Sequence, residues 1–431
     1  MLHNNLSVNN EGHLTIAGVD SVYLAKKYGT PLYVLDEDLV RENMRVQDSA
    51  LKKYVNDRSM ILYASKALSF KEMYRIAKDE NIGVDVVSSG ELYTALAAGF
   101  PADRIFFHGS SKTDFDICYG IDSRVGCFMV DNFEELDRIS CFAGEKGVTQ
   151  KVILRLTPGI DLHTFEAVKT GLVDSKFGVA IETNQAIEFF RRVLNTPNVE
   201  LIGFHCHIGS QCFDMQPFLD GADIMLDFIK QVKDEYGYAP EILNIGGGLG
   251  VRYVESDPEV KYDEWIKEIA DHIKAKCAAL SIDVPAILME PGRSIVAAAG
   301  TTLYTVNSIK TIPGYKSYIS IDGGMTDNPR YALYGSKYTT LIANRADQPA
   351  DFKCDLAGRC CESGDVIGID LMMQHAERGD IAAVLVTGAY NYSMASNYNR
   401  VPRPAIVMIK GGEDRLVLRR ETFEDIVACD L

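Results

Sequence analysis

Basic residues are in short supply in this chain. Lys and Arg number 44 against 60 Asp and Glu, for a net charge of −16. Nucleic acids and anionic membrane surfaces both require a basic face, so neither is expected as a partner. No apolar stretch reaches the length of a membrane span. Met1–Asn5 lacks the basic start and apolar core of a signal peptide, so a cytoplasmic location is the expectation. The ten cysteines are sparse and irregularly spaced, with no paired CxxC for zinc, and most are expected to be reduced and buried. There is neither a GxGxxG fingerprint nor a Walker loop, and no internal repeat, low-complexity tract or Pro-rich linker. What remains is an ordinary globular composition, 47% hydrophobic and 24% charged. At 431 residues the chain is too long for one core and implies about two domains.

Short apolar runs alternate with helical spacing from about residue 36 to about residue 290. The runs are Met60–Ala64, Gly83–Val87, Arg104–Phe107, Val125–Val130, Val152–Leu156, Leu201–His205, Ile242–Ile245 and Ala286–Met289. Eight strand–helix units in series predict either a closed (β/α)8 barrel or an open doubly wound sheet. Some 250 residues, with a Gly-rich turn after the seventh strand rather than the first, fit the barrel better. After residue 295 strand-like runs dominate: Leu303–Thr311, Tyr318–Asp322, Val366–Asp370, Ala382–Thr387, Ala405–Ile409 and Leu416–Leu418. The expected organisation is an N-terminal segment over 1–35, a barrel over 36–295 and an all-β domain over 296–431. The runs Leu14–Ile16 and Leu32–Val34 are expected to pair with the β domain.

Catalytic groups of a barrel sit at the C-terminal ends of its strands. Polar residues gather there: Lys66 after the first strand, Asp85 and Ser88 at the second, His108 at the third, Arg155 at the fifth, His205 and His207 at the sixth, Gly246-Gly247-Gly248 at the seventh, and Glu290-Pro291-Gly292-Arg293 at the eighth. A lysine half out of water at a strand mouth has a destabilised ammonium, and its neutral amine can form a Schiff base. The glycines serve either a tight turn or a close backbone approach to a phosphate. Glu290 ends an apolar strand and must be paired, either with Arg293 or with a protonated ring nitrogen. His205 and His207 face the same side of a strand. No third ligand with metal spacing accompanies them, so no metal is expected. His205 suits stacking on a flat cofactor, and His207 reads as a core histidine. Cys361, beside Glu362 and Asp365, has a proton to donate. The loops Asp327–Tyr334 and Gly388–Asn399 are candidates for ligand contact.

Together these motifs resemble the fold-type-III pyridoxal-phosphate enzymes, the alanine racemase-like barrels, and more narrowly the diaminopimelate decarboxylase family. The resemblance runs through Tyr63-Ala-Ser-Lys66-Ala, Gly83-Val-Asp85-Val-Val-Ser88, Phe107-His108-Gly109, Asp174-Ser-Lys-Phe-Gly178 and His205-Cys-His-Ile-Gly-Ser-Gln211. It continues through Gly246–Gly248, Glu290-Pro-Gly-Arg293, Cys361-Glu-Ser-Gly-Asp365 and Gly388-Ala-Tyr390–Asn399. It implies pyridoxal 5'-phosphate as cofactor, bound through Lys66. Glu290 would hold the ring nitrogen protonated and His205 would stack on the ring. Ser210, Gly246, Gly247, Gly248 and Tyr390 would lie near the phosphate, with Asp85 close to Lys66. Pro291 and Gly292 would aim Glu290 inward.

Ornithine and arginine decarboxylases usually carry Asp-Gly after the cysteine, where this chain has Glu362-Ser363. The resemblance therefore implies that Glu362 meets a distal ammonium, while Arg293, Arg330 and Tyr334 bind a distal carboxylate. The implied reaction is decarboxylation of meso-2,6-diaminopimelate at its D centre to L-lysine and CO2, with Cys361 or Lys66 returning the proton. A homodimer with shared active sites is also implied. The chain departs from the family pattern at Phe165, at Ser110-Ser111 and at Leu68. Rival readings are an ornithine/arginine or carboxynorspermidine-type decarboxylase on the same fold, a non-catalytic cofactor-binding relative, and a phosphate-sugar barrel without pyridoxal.

Overall fold

The computed structural model describes residues 3–160 and 174–431. Phe165, one of the departures named above, lies outside them. The chain divides into two compact units: residues 43–250 with 260–292, and residues 1–42 with 251–259 and 293–431.

The first unit is a closed parallel barrel. Its strands are β1 (Met60–Ala64), β2 (Gly83–Val86), β3 (Ile105–Phe107), β4 (Cys127–Val130), β5 (Gln150–Thr157), β6 (Val199–His205), β7 (Ile242–Asn244) and β8 (Ala286–Met289). Each pairs in parallel with the next. The ring closes where β8 meets β1, Leu288 opposite Met60 and Met289 opposite Ile61. That pairing excludes the open doubly wound sheet. The strands read as apolar runs because the barrel core takes one face and the surrounding helices the other. Leu62, Phe106, Cys127, Met129, Ile153, Ile202 and Leu288 form one buried cluster, with Met60 and Ile242 packed against it. Gly83 makes room for Leu62: a Cβ there would lie 2.4 Å from Leu62 Cδ2.

The helices start where the sequence supplies caps. The Ser88 hydroxyl accepts the Glu91 N–H, Thr113 and Asp116 form a reciprocal capping box, and Asn132 accepts the Glu135 N–H. These three caps follow the ends of β2, β3 and β4, so the loops at those three mouths are short.

In the second unit one sheet runs, in order, through Val366–Met373, Phe352–Ala357, Lys316–Ile321, Gly300–Ile312, Leu32–Asp36, Ala405–Lys410 and Glu413–Leu418. Thr340–Ile342 and Ile381–Leu385 extend it from Gly300–Ile312. Leu32–Asp36 pairs with both Gly300–Ile312 and Ala405–Lys410. Leu14–Ile16 does not join this sheet; it pairs with Leu6–Val8 and Val19–Asp20 in a small sheet of its own. Three short α-helices, Arg293–Val296, Arg330–Tyr334 and Phe423–Val427, interrupt the strand-rich texture of residues 293–431. No helix among the described residues is long and apolar enough to cross a membrane.

Candidate active site

Strand β1 ends in a single 3-10 turn, Ser65–Ala67. Ser65 and Ala67 are buried, whereas the Lys66 side chain is exposed. Ser65 fixes the turn: its hydroxyl lies 2.7 Å from the Asp85 carbonyl oxygen and 2.8 Å from Glu91 Oε2, joining the ends of β1 and β2. The Asp85 side chain is almost fully buried, and neither carboxylate oxygen has a hydrogen-bond partner among the described residues. Burial pushes its pKa up, opposed by His108 and by Lys66.

Glu290 follows β8 and is buried. Three side chains converge on it from β7, β6 and the end of β3. Asn244 Nδ2 donates to Oε1 at 2.7 Å, His205 Nε2 lies 3.2 Å from Oε2, and His108 Nε2 lies 2.9 Å from Oε1. The two imidazoles meet edge to face at 5.1 Å. Burial alone would raise the Glu290 pKa, but the imidazoles around it hold the carboxyl well below its ordinary range. Burial pushes His205 down to about 4, against the pull of Glu290, so the ring is neutral near pH 7. The result is a buried carboxylate held by Asn244 and a neutral His205. The spacing of His205 and His207 showed no third metal-type donor, yet the fold gathers His108, His205 and Glu290 within 4.8 Å. They come from strand ends far apart in sequence.

The Gly246–Gly248 turn is dictated by close approach. A Cβ on Gly246 would lie 2.7 Å from His207 Nδ1, one on Gly247 2.1 Å from the Glu290 carbonyl oxygen, and one on Gly248 2.3 Å from the Gly209 carbonyl oxygen. Gly246 and Gly248 also have positive φ. The Gly246 N–H donates to Asn244 Oδ1 at 2.9 Å, and the Gly247 N–H to His207 Nδ1 at 3.3 Å. His207 is therefore half-buried against the turn, and burial with nearby Lys66 and Arg155 pushes its pKa well down. The loop after β6 ladders onto the same turn through Cys212 N–H to Gly248 O and Gly250 N–H to Cys212 O. This sets half-buried Ser210 in the loop beside the glycines. The Pro291 carbonyl accepts the Ala64 N–H, and a Cβ on Gly292 would lie 3.0 Å from Ala64 O. Both residues thus fasten the end of β8 under the Lys66 turn.

The other expected site residues belong to the second unit. Arg293 and Arg330 are both buried there. Arg293 Nη1 donates to the Tyr253 hydroxyl at 2.8 Å. The two guanidinium carbons lie 4.8 and 5.6 Å from the Tyr390 ring centre, and Arg330 also lies 5.0 Å from the Tyr334 ring. Among the described residues no carboxylate lies within ion-pair distance of Arg330, and its Nε has no partner. Tyr338 packs edge to face on Tyr253 and shares hydrogen bonds with the buried Asn391. Cys361 and Glu362 are exposed in a loop, where the Cys361 N–H donates to Asn399 Oδ1 at 3.0 Å.

Residues 38–297 match the family described as pyridoxal-dependent decarboxylase, pyridoxal binding domain. The chain is 45% identical to the diaminopimelate decarboxylase of Bacillus subtilis (strain 168), covering 100% of this chain and 98% of the relative. It belongs to the diaminopimelate decarboxylase family. The Staphylococcus aureus (strain COL) diaminopimelate decarboxylase is 43% identical, with 98% of each chain covered. A crystal structure of the M. jannaschii diaminopimelate decarboxylase in complex with L-lysine superposes with a TM-score of 0.92 at 34% identity, over 100% of this chain and 99% of the other. A Vibrio vulnificus lysine/ornithine decarboxylase at 23% identity and a TM-score of 0.74 shares the fold. The family's cofactor is pyridoxal 5'-phosphate, and the residues present fit it. A buried ionised carboxylate, Glu290, suits a protonated ring nitrogen, and the unpartnered Asp85 oxygens lie in the same barrel mouth.

Asn244, Tyr253, Tyr338 and Asn391 were not singled out from the sequence. Asn391 lies within the loop Gly388–Asn399 named above, and Asn244 carried a signal in its place just before the glycines, one that reads equally well as ordinary turn chemistry.

Proposed function

We infer that this chain decarboxylates meso-2,6-diaminopimelate at its D centre, giving L-lysine and CO2 as the last step of lysine biosynthesis. The observation that carries the reading is the full-length similarity to diaminopimelate decarboxylases, joined to a barrel mouth built around a buried carboxylate. When bound, the cofactor supplies an electron sink for the bond that loses CO2. Lys66 is its attachment point. Glu290 would hold the ring nitrogen protonated, and His205 would stack on the ring. Asp85 lies close to Lys66, whose charge opposes the upward push of burial on its pKa. Ser210 and the glycine turn Gly246–Gly248 bound the phosphate end, with Tyr390 contributing to the same end. Pro291 and Gly292 aim Glu290.

The distal end of the substrate carries both an ammonium and a carboxylate. Arg293, Arg330 and Tyr334 take the carboxylate, and what supports this is a buried guanidinium, Arg330, with no acidic partner among the described residues. A buried cation of that kind calls for an anion. Glu362 takes the ammonium. Ornithine has no distal carboxylate, which disfavours the ornithine-type alternative. Cys361 or Lys66 returns the proton to Cα. The exposure of Cys361 and Glu362 supports their completing the site of a second copy in a homodimer. The reaction takes place in the cytoplasm.

The test is L-lysine formation from meso-diaminopimelate with and without added pyridoxal phosphate, beside ornithine and arginine controls. Cofactor-dependent lysine with silent controls is the expected result. Amine product from a control alone would reassign the substrate while keeping the cofactor.

A further inference from the structure

Asn244 is fully buried at the end of β7, where an aliphatic residue would fill the space without a polar group to satisfy. An asparagine is tolerated there only if its amide is matched, and both ends of it are. Oδ1 accepts the Gly246 N–H at 2.9 Å. An N–H must meet the oxygen, so the amide has one orientation, and Nδ2 is left to donate to Glu290 Oε1 at 2.7 Å. The backbone repeats the link: the Glu290 N–H donates to the Gly246 carbonyl, also at 2.9 Å. Asn244 itself is held in register, with its own carbonyl accepting the Cys206 N–H and its Cα opposite Leu288.

The donor is neutral, and this matters. A lysine or arginine in its place would cancel the charge of Glu290. An aspartate would set a second carboxylate against it. Asparagine orients the carboxylate without itself adding a charge of either sign, so the negative charge of Glu290 stays available to a protonated ring nitrogen.

We propose that Asn244 is a positioning residue that sets the Glu290 carboxylate and the Gly246–Gly248 turn as one unit, so that a single side chain fixes both the ring-nitrogen end and the phosphate end of the cofactor site. The proposal rests on the roles given above to Glu290 and to the glycine turn.

The test compares Asn244→Ala, Asn244→Asp and Glu290→Gln, prepared as holoenzyme. Asn244→Ala removes both bonds. Asn244→Asp keeps the acceptor for Gly246 and replaces the donor to Glu290 by a like charge. The measurements are kcat and KM across pH, the dissociation constant of pyridoxal phosphate, and the thermal midpoint. A hydrogen bond to a charged group predicts a fall in kcat of about 10–100-fold in both Asn244 variants, with KM changing less. Losing a donor to a carboxylate destabilises its ionised form, so the acid limb of the kcat profile moves to higher pH in both. Asn244→Ala weakens cofactor binding at least as much as Glu290→Gln does, because the turn is also released. Asn244→Asp, being isosteric, covers the case in which the alanine variant does not fold. If Glu290→Gln depresses kcat while Asn244→Asp keeps the parent rate and acid limb, the positioning role is overturned. If Glu290→Gln itself leaves rate and profile unchanged, the role of Glu290 fails and takes this proposal with it.

Discussion

The carboxylate of Asp365 accepts the backbone N–H of Cys360 at 2.6 Å, one residue before Cys361. Its other oxygen accepts the Met325 N–H, also at 2.6 Å. Asp365 is buried between two glycines that leave room for it: a Cβ on Gly358 or Gly324 would lie 2.2 or 2.3 Å from the carboxylate. The loop carrying Cys361 and Glu362 is thereby tied to the loop leading to Arg330. Asp365→Asn replaces one acceptor by a donor facing a backbone N–H, a loss of about 1–3 kcal/mol. The expected outcome is a lower thermal midpoint together with faster alkylation of Cys361 by iodoacetamide, read by mass spectrometry.

Glu362 lies at the surface, and among the described residues its side chain accepts only the Gly364 N–H. Glu362→Gln is expected to leave the thermal midpoint within about a degree or two while raising KM for diaminopimelate roughly tenfold or more, as for a lost charge-assisted contact. Steady-state kinetics beside a melting curve separate the two effects.

Gly247 has no room for a side chain, since its Cβ would meet backbone rather than a movable group. Gly247→Ala is expected to force the end of β8 away from the turn, lowering both the thermal midpoint and the affinity for pyridoxal phosphate. Equilibrium dialysis against the cofactor checks the second effect.

His205 is buried neutral, with its pKa pushed down to about 4. The unfolded chain takes up a proton near 6.5 that the folded chain refuses until about pH 4. Folding stability therefore falls as pH is lowered across that window, by on the order of 3 kcal/mol. Glu290, held low in the folded state, adds to the loss at the acid end. Melting curves between pH 7 and 4.5 are expected to show this slope, and His205→Asn to flatten it.

Asp327 runs the opposite way. Burial raises its pKa to about 7, opposed by the Tyr304 hydroxyl and the Gly324 N–H that donate to it. A folded-state value above the unfolded one means that stability is lost as pH rises from about 4 to 7. Asp327→Asn is expected to raise the thermal midpoint at pH 8 and to raise it less at pH 5.

The barrel was legible because its strands are buried on both faces and read as unbroken apolar runs, each ending in a polar residue. The shared mouth of Lys66, Asp85, His205 and Glu290 followed from that regularity. Pairing partners were less legible. Leu14–Ile16 and Leu32–Val34 both read as short strands ahead of the barrel, and nothing in the composition of the first says that a three-residue strand at Leu6–Val8 takes it. Thr340–Ile342 and Phe352–Ala357 were missed because they are short and mixed with polar residues. The environment of Glu290 was equally hidden. Sequence adjacency offered Arg293 as its partner, whereas Asn244 and two imidazoles surround the carboxylate and Arg293 donates to Tyr253.

The seam of the barrel joins Met60 to Leu288, residues separated by most of the first unit's length. During synthesis at roughly 5–20 residues per second, on the order of 10–50 s pass between the emergence of β1 and that of its last neighbour. Throughout that interval one edge of β1 exposes unpaired backbone, a template for wrong pairing. Nascent chains halted before Leu288 are therefore expected to bind chaperones or aggregate, and chains released past Met289 to become protease-resistant, which pulse proteolysis of stalled ribosome complexes would read directly.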